Sequence, residues 1–222
     1  MRSLVGQVLR GWARPLGLAR APRPGRQYWE RRARDFGPRS VLNLGHPASE
    51  YHAVTEAQRR ELFPHLKRLL RGDEKLALDF GCGPGRFTRD LAELIGGRAV
   101  GLDIVRRYLD AALRDPRVDY RLMREGSIAV PDGCADVVWV CLVLGGLDGA
   151  TLTRSALEIA RVLAPGGLLF LVENTSRMPD SPHWKFRPVD QYLAMFPQIA
   201  LEHLHEYDDL GETISVMAGR RR

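Results

Sequence analysis

The sequence predicts an α/β fold: a doubly wound, mostly parallel seven-stranded sheet with an antiparallel C-terminal edge hairpin. Three observations lead there. From residue 75 onward, short apolar runs alternate with segments of helical spacing, the order that lays crossover helices on both faces of a parallel sheet. The first of these runs passes directly into a glycine-rich turn, LDFGCGPGR at 78–86, and then into a helix. Two strand-like runs end the chain, ALEHLHEYDD and ETISVMAG, with Gly211 between them, close enough to pair as a hairpin.

Each element has its own justification. EKLALDF (74–80) is a short bounded apolar run, so strand one is placed at 75–80. The following helix, 86–95, carries Phe87, Leu91, Leu94 and Ile95 on one face and stops at glycine. Strand two spans 98–104 with a helix at 106–115, and strand three spans 118–123 before a polar loop. Strand four is 135–144, and its helix, 150–163, points Leu152, Ala156, Ile159, Ala160 and Leu163 inward. APGG turns into strand five at 168–174, and a last helix covers 189–196. Upstream, 27–37 reads as a short helix with two aromatics. The segment 49–72 has helical spacing through Leu62, Leu66, Leu69 and Leu70. Pro64 inside it implies a kink or two shorter helices. The chain therefore divides into a basic arm and linker (1–26), a helical cap (27–72) and a ligand-binding domain (73–222).

With 222 residues and 45% hydrophobic content the chain builds one sizeable core. The formal net charge of +6 is unevenly placed: residues 1–39 hold ten arginines against two acids, leaving −2 for the remainder. Nucleic acid is not an expected partner, because a nucleic-acid reader spreads its basic residues through the folded domain. In the arm, Leu4, Val5, Val8, Leu9 and Trp12 share one helical face. Three readings stay open: an amphipathic helix making peripheral contact with an anionic membrane, an organelle-targeting presequence, or a flexible tail ending in a proline-rich linker. The expected location is cytoplasmic, with membrane-surface association or organelle targeting as the arm's alternatives. No apolar run approaches the ~20 residues that cross a bilayer. Cys82, Cys134 and Cys141 have neither paired metal-ligand spacing nor an even count, so no metal and no disulfide framework are expected, and a reducing compartment follows.

The glycine turn poses the chemical question. A dinucleotide fingerprint is G-x-G-x-x-G, whereas Gly81, Gly83 and Gly85 make G-x-G-x-G, one residue short. Asp79, at the strand end before the turn, suits a positive group better than a phosphate, and Asp103, ending strand two, is placed to accept the hydroxyls of a ribose. The plain alternative is a strand–helix loop whose glycines supply only backbone freedom.

LDFGCGPGR, GLDI, ADVVWV and ALEIARVLAPGGLLFLVE, in this order across 74–174, resemble class I S-adenosylmethionine-dependent methyltransferases. The resemblance implies a Rossmann-like methyltransferase fold, S-adenosyl-L-methionine as cofactor, and O- or N-methylation of a small-molecule acceptor. It assigns Asp79, Gly81, Cys82, Gly83 and Gly85 to the methionine part, Asp103 to the ribose and Ile104 to the adenine. Where the family often carries an acid for the adenine amino group, this chain has Gly126, so Glu125, Ser127 or a backbone carbonyl would stand in. Cys141 begins an apolar stretch lining the cofactor. The alternative function is a non-catalytic partner or regulatory protein that keeps the pocket. A polymer-directed transferase would rest on the arm alone, and the Asn-Pro-Pro-Tyr type of sequence of many nucleic-acid base methylases is absent.

Methyl transfer needs positioning first, and a base only if the acceptor arrives protonated. His183, in the loop after strand five, is the base candidate, with Glu173 at that strand's end as the second catalytic candidate. Trp184 and Arg187 in the same loop, and Tyr28 and Tyr51 in the cap, are the substrate-binding candidates. Each has a structural alternative: a solvated loop histidine, a turn-capping acid, an ion-paired arginine, or aromatic packing of the cap on the core.

Overall fold

The computed structural model describes residues 25–222. The apolar face expected in the arm, Leu4 to Trp12, lies outside the described residues. Five strands run parallel: β1 (Leu76–Phe80), β2 (Arg98–Asp103), β3 (Val118–Leu122), β4 (Ala135–Cys141) and β5 (Leu163–Asn174). The hairpin strands β6 (Glu202–Asp209) and β7 (Glu212–Arg220) follow. The sheet order is β3-β2-β1-β4-β5-β7-β6. β7 pairs antiparallel with both β5 and β6, which leaves β6 at the edge. Six α-helices are described: α1 (Arg26–Phe36), α2 (Tyr51–Leu69), α3 (Thr88–Leu94), α4 (Arg106–Ala111), α5 (Gly149–Val162) and α6 (Val189–Ala194).

Successive strand side chains point to opposite faces, and here both faces are covered. Ala77, Val137, Trp139, Phe170 and Val172 pack with Leu62 and Leu66 of α2 and with Phe87 and Leu91 around α3. Leu78, Phe80, Val138, Val140, Leu169 and Leu171 pack on the other face with Ile159 of α5 and Tyr192 of α6. Trp139 and Phe170 stack in parallel across neighbouring strands, centroids 4.9 Å apart. Double-sided burial is why these strands read as continuous apolar runs.

Four expectations shift. β4 ends at Cys141, three residues early, because Leu142 turns into the left-handed region at φ 58°. β5 starts at Leu163: Ala135 pairs with Leu163 and Val137 with Leu168, so APGG is an irregularity within the strand pairing. The helices after β1 and β2 are shorter than the spacing predicts. α2 runs unbroken through Pro64 instead of splitting in two. β1 lies between β2 and β4, so the strand order reverses there, and the crevice outside the carboxyl ends at that point is where a ligand binds in such sheets.

Candidate active site

A cavity partly open to solvent occupies that crevice. Asp79 and Gly81 line it from the end of β1, Asp103 and Ile104 from β2, Glu125 and Gly126 from the loop after β3, and Cys141 from β4.

The turn between β1 and α3 is held from below. Gly81 sits at φ +73°, and a Cβ there would lie 2.5 Å from a Val143 methyl. Conformation and crowding therefore both demand glycine. The N–H groups of Gly81 and Cys82 donate to the Leu102 carbonyl at 2.8 and 3.0 Å, and that of Gly85 to the Cys82 carbonyl at 3.0 Å. The Gly83 N–H donates to Asp103 Oδ2 at 2.9 Å, while Asp103 Oδ1 accepts from the Val105 N–H at 2.8 Å. A phosphate cradle works by aiming free N–H groups at the anion. Here four N–H groups of the turn are committed inside the protein, so the site is not built for a pyrophosphate.

Its charges are acidic instead. Asp79 is 3% exposed and accepts the Thr88 hydroxyl at 2.6 Å. Burial pushes its carboxyl up to about 7. Burial likewise raises Asp103 to about 6, opposed by the N–H groups of Val105 and Gly83. Two buried carboxylates facing one cavity favour a ligand that brings a positive charge and hydroxyl donors. Burial also raises both thiols, Cys141 to about 12 and Cys82 in the same direction, so neither is an activated nucleophile.

Residues 78–171 match the family model of a methyltransferase domain. This segment is a methyltransferase domain. Among curated relatives, the malonyl-[acyl-carrier protein] O-methyltransferase of Enterobacter lignolyticus is 30% identical over 127 residues, 57% of this chain and 49% of that protein. N-demethylindolmycin N-methyltransferase of Streptomyces griseus is 35% identical over 113 residues, 47% of this chain and 45% of that one. The chain thus spans about half the length of these relatives. Geranyl diphosphate C-methyltransferase from Streptomyces coelicolor, solved with S-adenosyl-L-homocysteine, shares the fold at TM-score 0.64 and 16% identity, covering 84% of this chain and 81% of its own. The donor set fits the family's cofactor, whose ammonium, sulfonium and ribose match two acids and a turn with four of its N–H groups bonded within the protein.

Of the residues expected to hold the cofactor, Asp79, Gly81, Cys82, Asp103, Ile104, Glu125 and Cys141 line the cavity of the methyltransferase domain. Gly83, Gly85 and Ser127 do not. A Cβ on Gly83 would meet Val41 and one on Gly85 the Tyr120 hydroxyl, so these two serve the packing of the turn. Ser127 closes its own turn by donating its N–H to the Arg124 carbonyl at 3.1 Å. Gly126 lines the cavity in its place.

The expected substrate wall is arranged differently. His183, Glu173, Trp184 and Arg187 are not among the residues lining the cavity; Glu173, Trp184 and Arg187 build the support of the loop after β4, and His183 packs on the cap. Glu173 is fully buried, and its carboxylate accepts the N–H groups of Val143, Leu144 and Gly145 at 2.9, 2.6 and 3.1 Å. Arg187 donates to the carbonyls of Leu144 and Leu147 at 2.9 and 2.7 Å. Trp184, 2% exposed, covers Gly145, where a Cβ would lie 2.4 Å from the indole. His183 stacks on Tyr28, centroids 3.9 Å apart, and burial lowers its pKa. The left-handed Leu142 starts this loop and lines the cavity. Tyr28 and Tyr51 also lie outside the lining; the neighbouring Trp29 takes the position from the cap. Cap and domain are tied by Glu125, which accepts the Arg26 N–H, and by Ser40 against Tyr108 at 2.7 Å.

Arg86 was legible only as the residue after the third glycine, yet it lines the cavity. Away from the cavity lining, Glu61, His65 and His205 gather their ligand atoms within 4.8 Å. Their mutual bonding accounts for the group: His205 Nε2 meets Glu61 at 2.6 Å and Arg68 donates to His65 Nδ1 at 2.9 Å, placing a guanidinium beside any cation.

Proposed function

We propose that the chain transfers a methyl group from S-adenosylmethionine to a small-molecule acceptor in this cavity. The observation that carries the reading is the pair of buried acids, Asp79 and Asp103, lining one crevice around a turn whose Gly81, Cys82, Gly83 and Gly85 N–H groups are already bonded within the protein. When bound, the cofactor supplies a methyl group on a sulfonium. Asp79 accepts from its ammonium group, Asp103 from the ribose hydroxyls, and Ile104 with Met123 offers apolar surface to the adenine. Glu125 and Gly126 replace the usual acid at the adenine edge. On the acceptor side the chain's task is positioning. The support built by Glu173, Trp184 and Arg187 keeps the loop from Leu142 to Leu147 in place, and Trp29 closes the cavity from the cap. A small acceptor agrees with one partly enclosed cavity and with a body of net charge −2.

Calorimetry with S-adenosylhomocysteine tests the reading. One site per chain is expected, with Asp103→Ala weakening it by about 1.5–3 kcal/mol through lost charge-assisted hydrogen bonds. Tighter binding of NAD than of S-adenosylhomocysteine overturns the reading. Binding without methyl transfer to any acceptor in a small-molecule panel would favour the regulatory alternative.

A further inference from the structure

We propose that Arg86 holds an anionic group, carboxylate or phosphate, of the methyl acceptor where the cavity meets α2; this assignment rests on the methyltransferase reading above. A guanidinium keeps its charge at any working pH, and this one faces the cavity. Its two hydrogen bonds go to neutral acceptors on α2: Nε donates to Thr55 Oγ1 at 3.1 Å, and Nη2 donates to Gln58 Oε1. Among the described residues no carboxylate lies within the 4.0 Å of an ion pair with it, whereas Arg59, Arg117 and Arg161 each have one. The acids whose charge reaches it are committed elsewhere: Asp209 to His46 Nε2 at 2.6 Å and Asp79 to Thr88.

A desolvated cation without a counter-ion is costly, and desolvation does pull the Arg86 pKa down. A second group nearby is also unsatisfied. The Tyr207 hydroxyl, close enough for the Arg86 charge to bear on it, is buried with no hydrogen-bond partner among the described residues. Tyr207 does not line the cavity, so the anion is assigned to the guanidinium, whose remaining donors can take it as a charge-assisted pair. The Phe87 ring, 4.7 Å from the guanidinium carbon, gives the site an apolar floor. The cavity is therefore bipolar, with acids for a cationic cofactor and a cation that would repel a sulfonium unless an acceptor anion neutralises it.

The test is calorimetry on the full chain saturated with S-adenosylhomocysteine, using benzoate, phenyl phosphate and the neutral benzamide as probes. At least one anion should bind the parent about tenfold or more tightly than benzamide, as one charge-assisted pair implies. Arg86→Met should abolish that preference and Arg86→Lys should keep part of it, with S-adenosylhomocysteine affinity unchanged in both. The proposal is overturned if neither anion is preferred by the parent, or if the preference survives in Arg86→Met. It is equally overturned if Arg86→Met weakens S-adenosylhomocysteine, which would assign Arg86 to the cofactor's own carboxylate. A parent that fails to bind S-adenosylhomocysteine is a separate result, read in the first titration, and removes the methyltransferase reading together with the assignment built on it.

Discussion

Replacing Asp79 by asparagine isolates the cost of keeping a carboxylate beneath the glycine turn. Asp79 is buried, accepts one hydrogen bond from Thr88, and has its carboxyl raised from 3.8 to about 7, chiefly by burial. Between those values the folded protein retains a proton that the unfolded chain releases. The stability linked to it is complete below the unfolded value and is lost as pH rises through the folded one. From pH 5.5 to 8.5 about one and a half pKa units of that interval are crossed, worth about 2 kcal/mol for this single group. Asparagine does not titrate, and its Oδ1 can still accept from Thr88. Asp103 and Glu173 titrate in both proteins and largely cancel. Urea unfolding of parent and Asp79→Asn without ligand should therefore show the variant gaining about 2 kcal/mol relative to the parent between pH 5.5 and 8.5. S-adenosylmethionine affinity should fall in the same variant, and parental affinity should strengthen with pH as Asp79 ionises. A stability difference that is flat with pH would refute the reasoning, since Asp79 would then titrate as an ordinary surface acid.

Three further outcomes are expected. Glu173→Gln turns an NH2 group toward one of the three N–H groups that the carboxylate now accepts, and should cost about 2–4 kcal/mol in denaturant unfolding. Gly145→Ala drives a methyl into the Trp184 indole; thermal unfolding should register a loss of about 1–3 kcal/mol, as overpacking does, and unchanged stability would mean that the loop after β5 does not press on this one. The basic arm is proposed to serve location: a chain lacking residues 1–24 should keep its Tm and lose affinity for phosphatidylserine vesicles, and a large fall in Tm would place the arm in the fold.

The alternation of β1 to β5 with helices was readable because burial on both faces leaves a local imprint: apolar runs of strand length, helices with one apolar stripe, glycine at the stops. Asp79, Gly81 and Asp103 were readable for a related reason. They sit at strand ends and in a tight turn, positions that the local pattern itself marks, so their place around the crevice follows from topology. The hairpin was readable from Gly211, but nothing local says that β7, the later strand, inserts beside β5 while β6 takes the edge; that choice is made by which strand buries Ile214 and Val216 against the core. The loop after β5 shows the same division. His183, Trp184, Arg187 and Glu173 have residue types suited to holding a substrate, yet their partners lie 28 to 43 positions away for Glu173 and Arg187, in a loop whose left-handed turn at Leu142 no glycine announces. Arg86 was visible in the sequence as one more arginine. Only the folded chain shows that Thr55 and Gln58 occupy two of its donors without neutralising it, because the charge balance of a cavity is set by residues brought together from elements far apart in the chain.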